Sequence, residues 1–547
     1  MRRARYVTGL VLLVALAPLV ISLTPEEPVA EDREPAARAV RDEPPADGTA
    51  KIRLLGVNDL HGYLERSAES AGAARLAAHL DRHERENTIR VHAGDMVSAS
   101  PLVSAYFHDE PTVLAMNAMG FDVGTLGNHE FDEGAEEMLR LLEGGQREGS
   151  EETSGADFPG ATFPYVAANT LDRETNRPVL PPYTVVERDG VRVGFIGVTT
   201  LETPEIIIPD AAGEFRFADI SETVNRRAAD LTDQGVHAIV VLAHSGALDT
   251  GLGGTSDEIL TETRQMDDAV DAVFSGHTHN RLDRRVAGRP VVQAEQYGTH
   301  FGVVDLLVGR ASGEVTGSEA RIVSAMNGEI TPDPEVAELV EGYAERVAPI
   351  SDRVVGTAGE RIGLPPTTSG ESALGDFVAD GQRDLAGTDF ALVPTGGLRA
   401  DIDPGPVTYG ELFSVQPSGR DLIRMELSGA EVRRALEEQY GPGRDHLLAV
   451  SGLRYAHDPK RPPGNRVDAL TLPDGTDIRP DEEYTVAVNG FLAAGGGGFE
   501  VFAGGENRRA VGKDIGALAR HAGGPPQPFV APDPARNPRV RPAGRAG

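Results

Sequence analysis

Short apolar runs, each closed by a turn of small or polar residues, punctuate the first half of the chain. Residues 52–57, 88–93, 121–126, 237–243 and 271–275 are rich in Val, Ile, Leu and Phe, and Gly, Asn, Asp or His follows each of them. Runs of this length with such boundaries predict buried strands. Between them, residues 70–86, 111–119, 133–143 and 221–234 are helix-like in pattern. Strand–helix alternation predicts an α/β layered domain, in which ligands gather beyond the carboxyl ends of the strands. The polar, Gly-rich segment 143–163 reads as a surface loop ahead of a further strand at 165–169.

The residues that close these runs share one chemistry. In order they are Asp59-Leu60-His61, Gly94-Asp95, Gly127-Asn128-His129-Glu130-Phe131-Asp132, His244 and Gly276-His277-Thr278-His279. Each motif carries oxygen or imidazole donors suited to a divalent cation. A single Asp-x-His triplet recurs by chance as a surface turn. Five such motifs, each after a predicted strand, converge on one sheet edge. Together they offer enough donors for two cations, and paired cations act most often on phosphate esters. Gly94, Gly127 and Gly276 suit tight turns that pass close to bound ions.

The second half repeats the α/β pattern. Residues 331–354 carry a helical period (Val336, Leu339, Val340, Tyr343, Val347) behind an opening proline and read as a connector. A second α/β region follows over 355–515, with helix-like runs at 374–385 and 430–440. Residues 521–547 are rich in Pro, Gly and Arg and read as a disordered tail. At the other end, a basic Met1–Arg5 followed by an apolar run to Leu23 predicts an export signal or uncleaved anchor over 1–24. A flexible linker rich in Pro, Glu and Ala is expected over 25–50. An exported location, extracellular or at the cell surface, follows, with membrane contact only through that anchor.

Composition narrows the chemistry. The chain has 547 residues, room for about three domains, and a net charge of −33 with pI near 4.8. Such an acid excess argues against a nucleic-acid polymer as partner, because binding there is driven by basic patches. The chain has no cysteine, which excludes disulfides, thiolate ligands and lipid attachment through Cys.

The motif series resembles the calcineurin-like metallophosphoesterases. Glu371-Ser372-Ala373-Leu374-Gly375-Asp376, Gly396-Gly397-Leu398-Arg399 and the stretch 489–499 resemble the C-terminal domain of the 5′-nucleotidases. The resemblance spans about 51–515. It implies an N-terminal metallophosphoesterase α/β sandwich over 51–330, a helical connector and a C-terminal α/β substrate-binding domain. It also implies ligand roles: Asp59, His61 and His279 on one cation, Asn128, His244 and His277 on the other, Asp95 between them. The donor set suits Zn, Mn, Fe or Co alike. His129, oriented by Asp132, is the implied catalytic pair, stabilising charge on the phosphoryl or leaving oxygen. Glu130 reads as structural, and His92, His237 and His300 as core or supporting residues.

Arg399 and Phe499 are the implied substrate contacts, one for an anionic group and one for a nucleobase. Where relatives carry Arg, Asn and a second aromatic ring, this chain has Gly370, Pro394 and Ser418. Arg420 could replace a lost cation, but a surface arginine is the favoured reading. The expected activity is phosphate release from nucleotides by metal-activated water. Hydrolysis of another small anionic ester, such as a UDP-sugar, a 2′,3′-cyclic nucleotide or a sulfur-containing substrate, is the alternative. A non-catalytic surface binding protein is the less favoured third reading.

Overall fold

The computed structural model describes residues 48–147, 158–207, 213–247, 258–364, 367, 370–417, 419–440, 448–458 and 460–542. The expected N-terminal segment lies outside them, as does the linker as far as residue 47. Thr49 and Ala50, assigned to that linker, already pair in the first strand, Thr49–Val57. Among the described residues no helix is long and apolar enough to cross a membrane.

Two six-stranded sheets form the N-terminal domain. The first runs Val315–Ser324, His300–Gly309, Thr49–Val57, Thr88–His92, Val123–Thr125, Tyr165–Val166. The second runs Arg281–Val286, Arg289–Ala294, Ala272–Ser275, Ala238–His244, Val191–Thr199, Tyr183–Arg188. Ile52, Leu54, Val91, Phe195, Val240 and Phe274 form a core in which residues of both sheets meet. Helices Ala73–His83 and Glu110–Ala118 cover the first sheet through Leu76, Leu80, Val113 and Met116. Helices Ile220–Asp233 and Glu258–Gln265 cover the second through Val224, Leu231 and Ile259. With both faces covered, Ala238–His244 is buried at every position. That burial explains why the run is continuously apolar rather than alternating.

Parallel pairing is what gathers the motifs. Thr49–Val57, Thr88–His92 and Val123–Thr125 are neighbours in parallel, as are Val191–Thr199, Ala238–His244 and Ala272–Ser275. Their carboxyl ends therefore emerge at one edge of each sheet.

Helix Pro334–Ser351 follows, with Asp333 capping it by accepting from the Val336 amide at 2.9 Å. Its buried Val336, Val340 and Val347 join the N-terminal core, so by packing it belongs more to the first domain than to a free connector. The C-terminal domain centres on a sheet ordered Leu448–Ser451, Phe390–Pro394, Glu483–Asn489, Asp421–Ser428, Glu506–Lys513. Helices Ala373–Ala386 and Asp514–Gly523 cover one side, and Gly429–Glu438 the other.

Two loop expectations need correction. Residues 521–542 of the expected disordered tail are held in place. Phe529 and Val540 are buried, Val540–Pro542 pairs with Arg454–His457, and Arg539 reaches Asp380 at 2.8 Å and the Val450 carbonyl at 2.6 Å. Pro and Gly weaken regular ladders, but widely spaced apolar side chains still anchor a strap. The segment 143–163 likewise sends Phe158 and Phe163 into the core; its residues 148–157 lie outside the description.

Candidate active site

The backbone of the motif turns is strained. Asp59 (φ 50°), His61 (48°), Asp95 (50°), His277 (80°) and His279 (57°) all adopt left-handed conformations. For non-glycine residues each costs about 1–3 kcal/mol and persists only where surroundings enforce it. Here they do: the Asp59 carboxylate accepts from the His277 amide at 3.0 Å and from Asn58 Nδ2 at 2.6 Å. Asp95 Oδ1 accepts from the His129 amide at 2.8 Å. Glu130 binds three amides, those of Asp95 (3.0 Å), Gly127 (2.6 Å) and Met96 (2.9 Å), and so ties two motif turns together. Gly94, at φ +83°, packs so closely that a Cβ would lie 2.5 Å from the Gly127 nitrogen.

The seven implied ligands converge. A carbonyl can only accept, so His61 Nδ1–H donates to the Ser98 carbonyl at 2.9 Å. Its Nε2 then faces His279 Nε2 at 3.2 Å. By the same logic His244 Nδ1–H donates to the Ala93 carbonyl at 2.8 Å. Its Nε2 faces Asn128 Oδ1 at 3.1 Å and Asp95 Oδ2 at 3.0 Å. Asp59, His61 and His279 form one group able to hold an ion, and Asp95, His244 and His277 another. Asp95 Oδ2 lies 3.7 Å from His61 Nε2, so it stands between the groups. Imidazole nitrogens and carboxylate and amide oxygens that converge this closely fit a pair of divalent cations.

Electrostatics agree with that fit. Burial pushes His244 down, but Asp95, joined by Asp59 and Glu130, overcomes it and lifts the imidazole to about 9. A proton thus competes for a position where carboxylates favour positive charge. Burial, reinforced by His129, drives His61 down to about 3, leaving it neutral and ready to ligate. Burial and then the Asp95 charge raise Glu130 to about 7.

Beside the ligands stands the His129–Asp132 pair, with Nδ1 and Oδ2 2.8 Å apart. Burial pushes His129 down, and Asp132 and Asp95 overcome it and raise it. Yet Arg399 Nη2 lies 3.3 Å from His129 Nε2. A guanidinium only donates, so that contact needs the neutral ring. The two tendencies oppose each other: in this arrangement Nδ1 carries the ring proton toward Asp132, and Nε2 accepts from Arg399. A cavity of about 300 Å³ opens here, lined by His129, His277 and His279 from one domain and Pro394, Arg399 and Phe491 from the other.

The remaining sequence candidates divide. Phe499 contributes to the cavity wall but is only 1% exposed, packed with Phe502 in the C-terminal core. Half-buried Phe491 presents the more exposed ring to the same cavity. Ser418 lies outside the described residues. Arg420, read as a surface arginine, sits in the cleft, 3.9 Å from Asp132 and 5.4 Å over the Phe491 ring. His92 is buried. His237 pairs with Glu314 at 3.6 Å just before strand Ala238–His244, at the end opposite His244. His300 is half-buried against Glu295. Sequence reasoning missed Tyr297, which stacks on Tyr63 at 3.8 Å and meets the rings of His61 and His279. It also missed Glu202, 3.5 Å from His277. Neither sits in a motif with metal-ligand spacing.

Residues 52–281 match the family model of the calcineurin-like phosphoesterases, and residues 354–504 that of the 5′-nucleotidase C-terminal domain. Endonuclease YhcR of Bacillus subtilis is 37% identical over 82% of this chain and 37% of its own length. The cell wall protein Lmo0130 of Listeria monocytogenes is 33% identical over 84% of this chain and 65% of its own length. The chain therefore spans less than two thirds of either relative. The 5′-nucleotidase precursor of Thermus thermophilus superposes with a TM-score of 0.75 at 27% identity, over 91% of this chain and 100% of that structure. Two matched domains in this order, and a fold shared with a 5′-nucleotidase over 91% of this chain, show that the chain belongs to the metallophosphoesterase-type 5′-nucleotidases, a family of metal-dependent phosphoester hydrolases.

Proposed function

We propose that the protein is an exported phosphohydrolase that releases phosphate from nucleotides. The observation that carries this reading is the convergence of two ligand groups, a histidine–aspartate pair and a second-domain arginine on one cavity. Two divalent cations, on Asp59, His61 and His279 and on Asn128, His244 and His277 with Asp95 shared, would supply Lewis-acid polarisation and activation of water.

The chain's own groups do the rest. Arg399 binds phosphoryl oxygens and fixes the substrate across the domain boundary. Asp132 keeps the His129 ring aligned, with Nε2 turned to the cavity. The opposed tendencies of His129 now acquire a use. A phosphoryl group entering between Nε2 and Arg399 accepts from both, so the ring can carry its second proton. From there His129 stabilises developing charge and protonates the leaving oxygen. Phe491 gives a nucleobase one apolar face. Export is supported by the basic-then-apolar N-terminus and by the relative named as a cell wall protein.

The test is phosphate release from a panel of nucleoside mono- and diphosphates, UDP-glucose, 2′,3′-cyclic AMP and 4-nitrophenyl phosphate, with Zn, Mn, Fe or Co added. Nucleotides should be hydrolysed most efficiently. Turnover confined to UDP-glucose or the cyclic nucleotide would transfer the activity to that substrate.

A further inference from the structure

Asp132 has two oxygens with different surroundings. Oδ2 receives the His129 Nδ1 proton at 2.8 Å. Oδ1 is buried and has no hydrogen-bond partner among the described residues. A buried carboxylate oxygen without a donor is destabilising, so what faces it matters. Arg420 faces it, with Nη2 at 3.9 Å, from the other domain. The Arg420 guanidinium hydrogen-bonds to no described side chain or carbonyl. It lies 5.4 Å over the Phe491 ring, which steers the side chain toward the cleft. Asp132, Arg420 and Phe491 also line both the metal-side cavity and a second one of about 470 Å³ that reaches His108 and Lys513. They stand as the partition between two chambers.

Resting on His129 as the catalytic histidine, we infer that Arg420 is a positioning residue for the hydrolytic step. It holds the free oxygen of Asp132 and thereby sets the orientation of the His129 ring. Because Arg420 belongs to the C-terminal domain and Asp132 to the N-terminal one, the pair is complete only while the two domains are in contact. Arg399 and Arg420 then act on the two ends of one dyad: Arg399 at the histidine nitrogen that meets substrate, Arg420 at the carboxylate oxygen farthest from it. The other cations of the outer cavity are committed elsewhere. Lys513 pairs with Asp421 at 2.9 Å, and Arg147 with Glu133 at 3.1 Å. An arginine that only anchored the leaving group would act differently, through affinity for large substrates.

The experiment compares wild type, Arg420→Ala and Arg420→Lys on 4-nitrophenyl phosphate, whose small leaving group need not reach Arg420, and on a nucleoside monophosphate. Removing a group that supports a working residue typically costs about 10–100-fold. Arg420→Ala should lower kcat on the aryl phosphate by about 10-fold, with KM and bound metal unchanged. Lysine should restore part of it, as should millimolar guanidinium ion with the alanine variant. A second readout is independent of turnover: the downfield Nδ1 proton of His129, followed by NMR, should shift or broaden in Arg420→Ala. Unchanged aryl phosphate kcat with raised nucleotide KM would overturn the proposal in favour of a substrate anchor. Loss of metal or of the fold, without guanidinium rescue, would overturn it in favour of a structural role. An unmoved His129 proton would overturn it even in a protein that hydrolyses nothing. Wild-type turnover of the aryl phosphate but of no nucleotide would instead sink the nucleotide reading and leave this test intact.

Discussion

Gly127 is where one added methyl group should dismantle the site. A Cβ built there lies 2.1 Å from Asp95 Oδ1 and 2.5 Å from the Asp95 nitrogen. Ordinary carbon–oxygen contact needs about 3.4 Å, so Asp95 must retreat by roughly 1.3 Å. It cannot do so cheaply, because its amide is bonded to Glu130 and its Oδ1 to the His129 amide. Forced overpacking of this kind costs about 1–3 kcal/mol, and a 1 Å misplacement at a reacting centre costs on the order of 10²-fold in rate. Gly127→Ala should therefore unfold earlier in urea, bind less than the full complement of metal, and turn over an aryl phosphate about 100-fold more slowly. Gly342→Ala is the matched control. It lies in helix Pro334–Ser351 with nothing within 4 Å of the new atom. It should stabilise by about 1 kcal/mol through helix propensity and leave turnover alone. Urea denaturation, metal analysis and steady-state kinetics on the three proteins decide the matter. A Gly127→Ala enzyme with full metal content and wild-type kcat would refute the placement of Asp95 against that turn.

Asp95→Ala should be the most damaging single ligand change, because Asp95 touches both groups; elemental analysis should show both sites depleted, and exhaustive chelation of the wild type should abolish turnover. His129→Ala should lower kcat by about 10²-fold or more with metal content intact, and Asp132→Asn by less; loss of metal with normal turnover per bound ion would refute the role. Metal binding should release a proton from His244, held at about 9 without metal. Since the protonated form prevails below that value, apparent affinity should weaken by up to about tenfold for each unit of acidification below 9, which calorimetry in buffers of differing ionisation enthalpy would read. Phe491→Leu should raise KM for nucleotides by about 10-fold while leaving 4-nitrophenyl phosphate unaffected; equal effects on both substrates would remove the ring from the base site.

The metal-side motifs were legible because they obey a local rule: each candidate ligand ends a strand or follows it by a few residues, and parallel pairing brings those strand ends together. Short-range spacing marked the motifs, and the resemblance to the metallophosphoesterases picked seven side chains from them as candidate ligands. The strain carried by five of them was not legible, since nothing in Asp, His or a flanking glycine reveals a positive φ in advance. The tail shows the opposite failure. Its composition argued for disorder, while a few anchors such as Phe529, Arg539 and Val540 decide where it runs.

The substrate side resisted for a related reason. Phe499 and Phe491 occur eight residues apart in one Gly-rich stretch, and which ring faces the cleft depends on how the turn at Gly495–Gly498 folds. Gly495, Gly497 and Gly498 all take positive φ, and that path carries Phe499 inward beside Phe502 while Phe491 stays at the cavity. The place of Arg420 in the cleft was hidden for the same cause: the carboxylate it faces, Asp132, lies nearly three hundred residues earlier, and the facing oxygen has no hydrogen-bond partner among the described residues. Contacts made across two domains leave no periodicity in either of them. In this chain the sequence motifs place the candidate ligands, and the domain interface supplies the rest of the cavity wall; substitutions in the interface should move substrate preference and alignment of the dyad while metal content stays as it is.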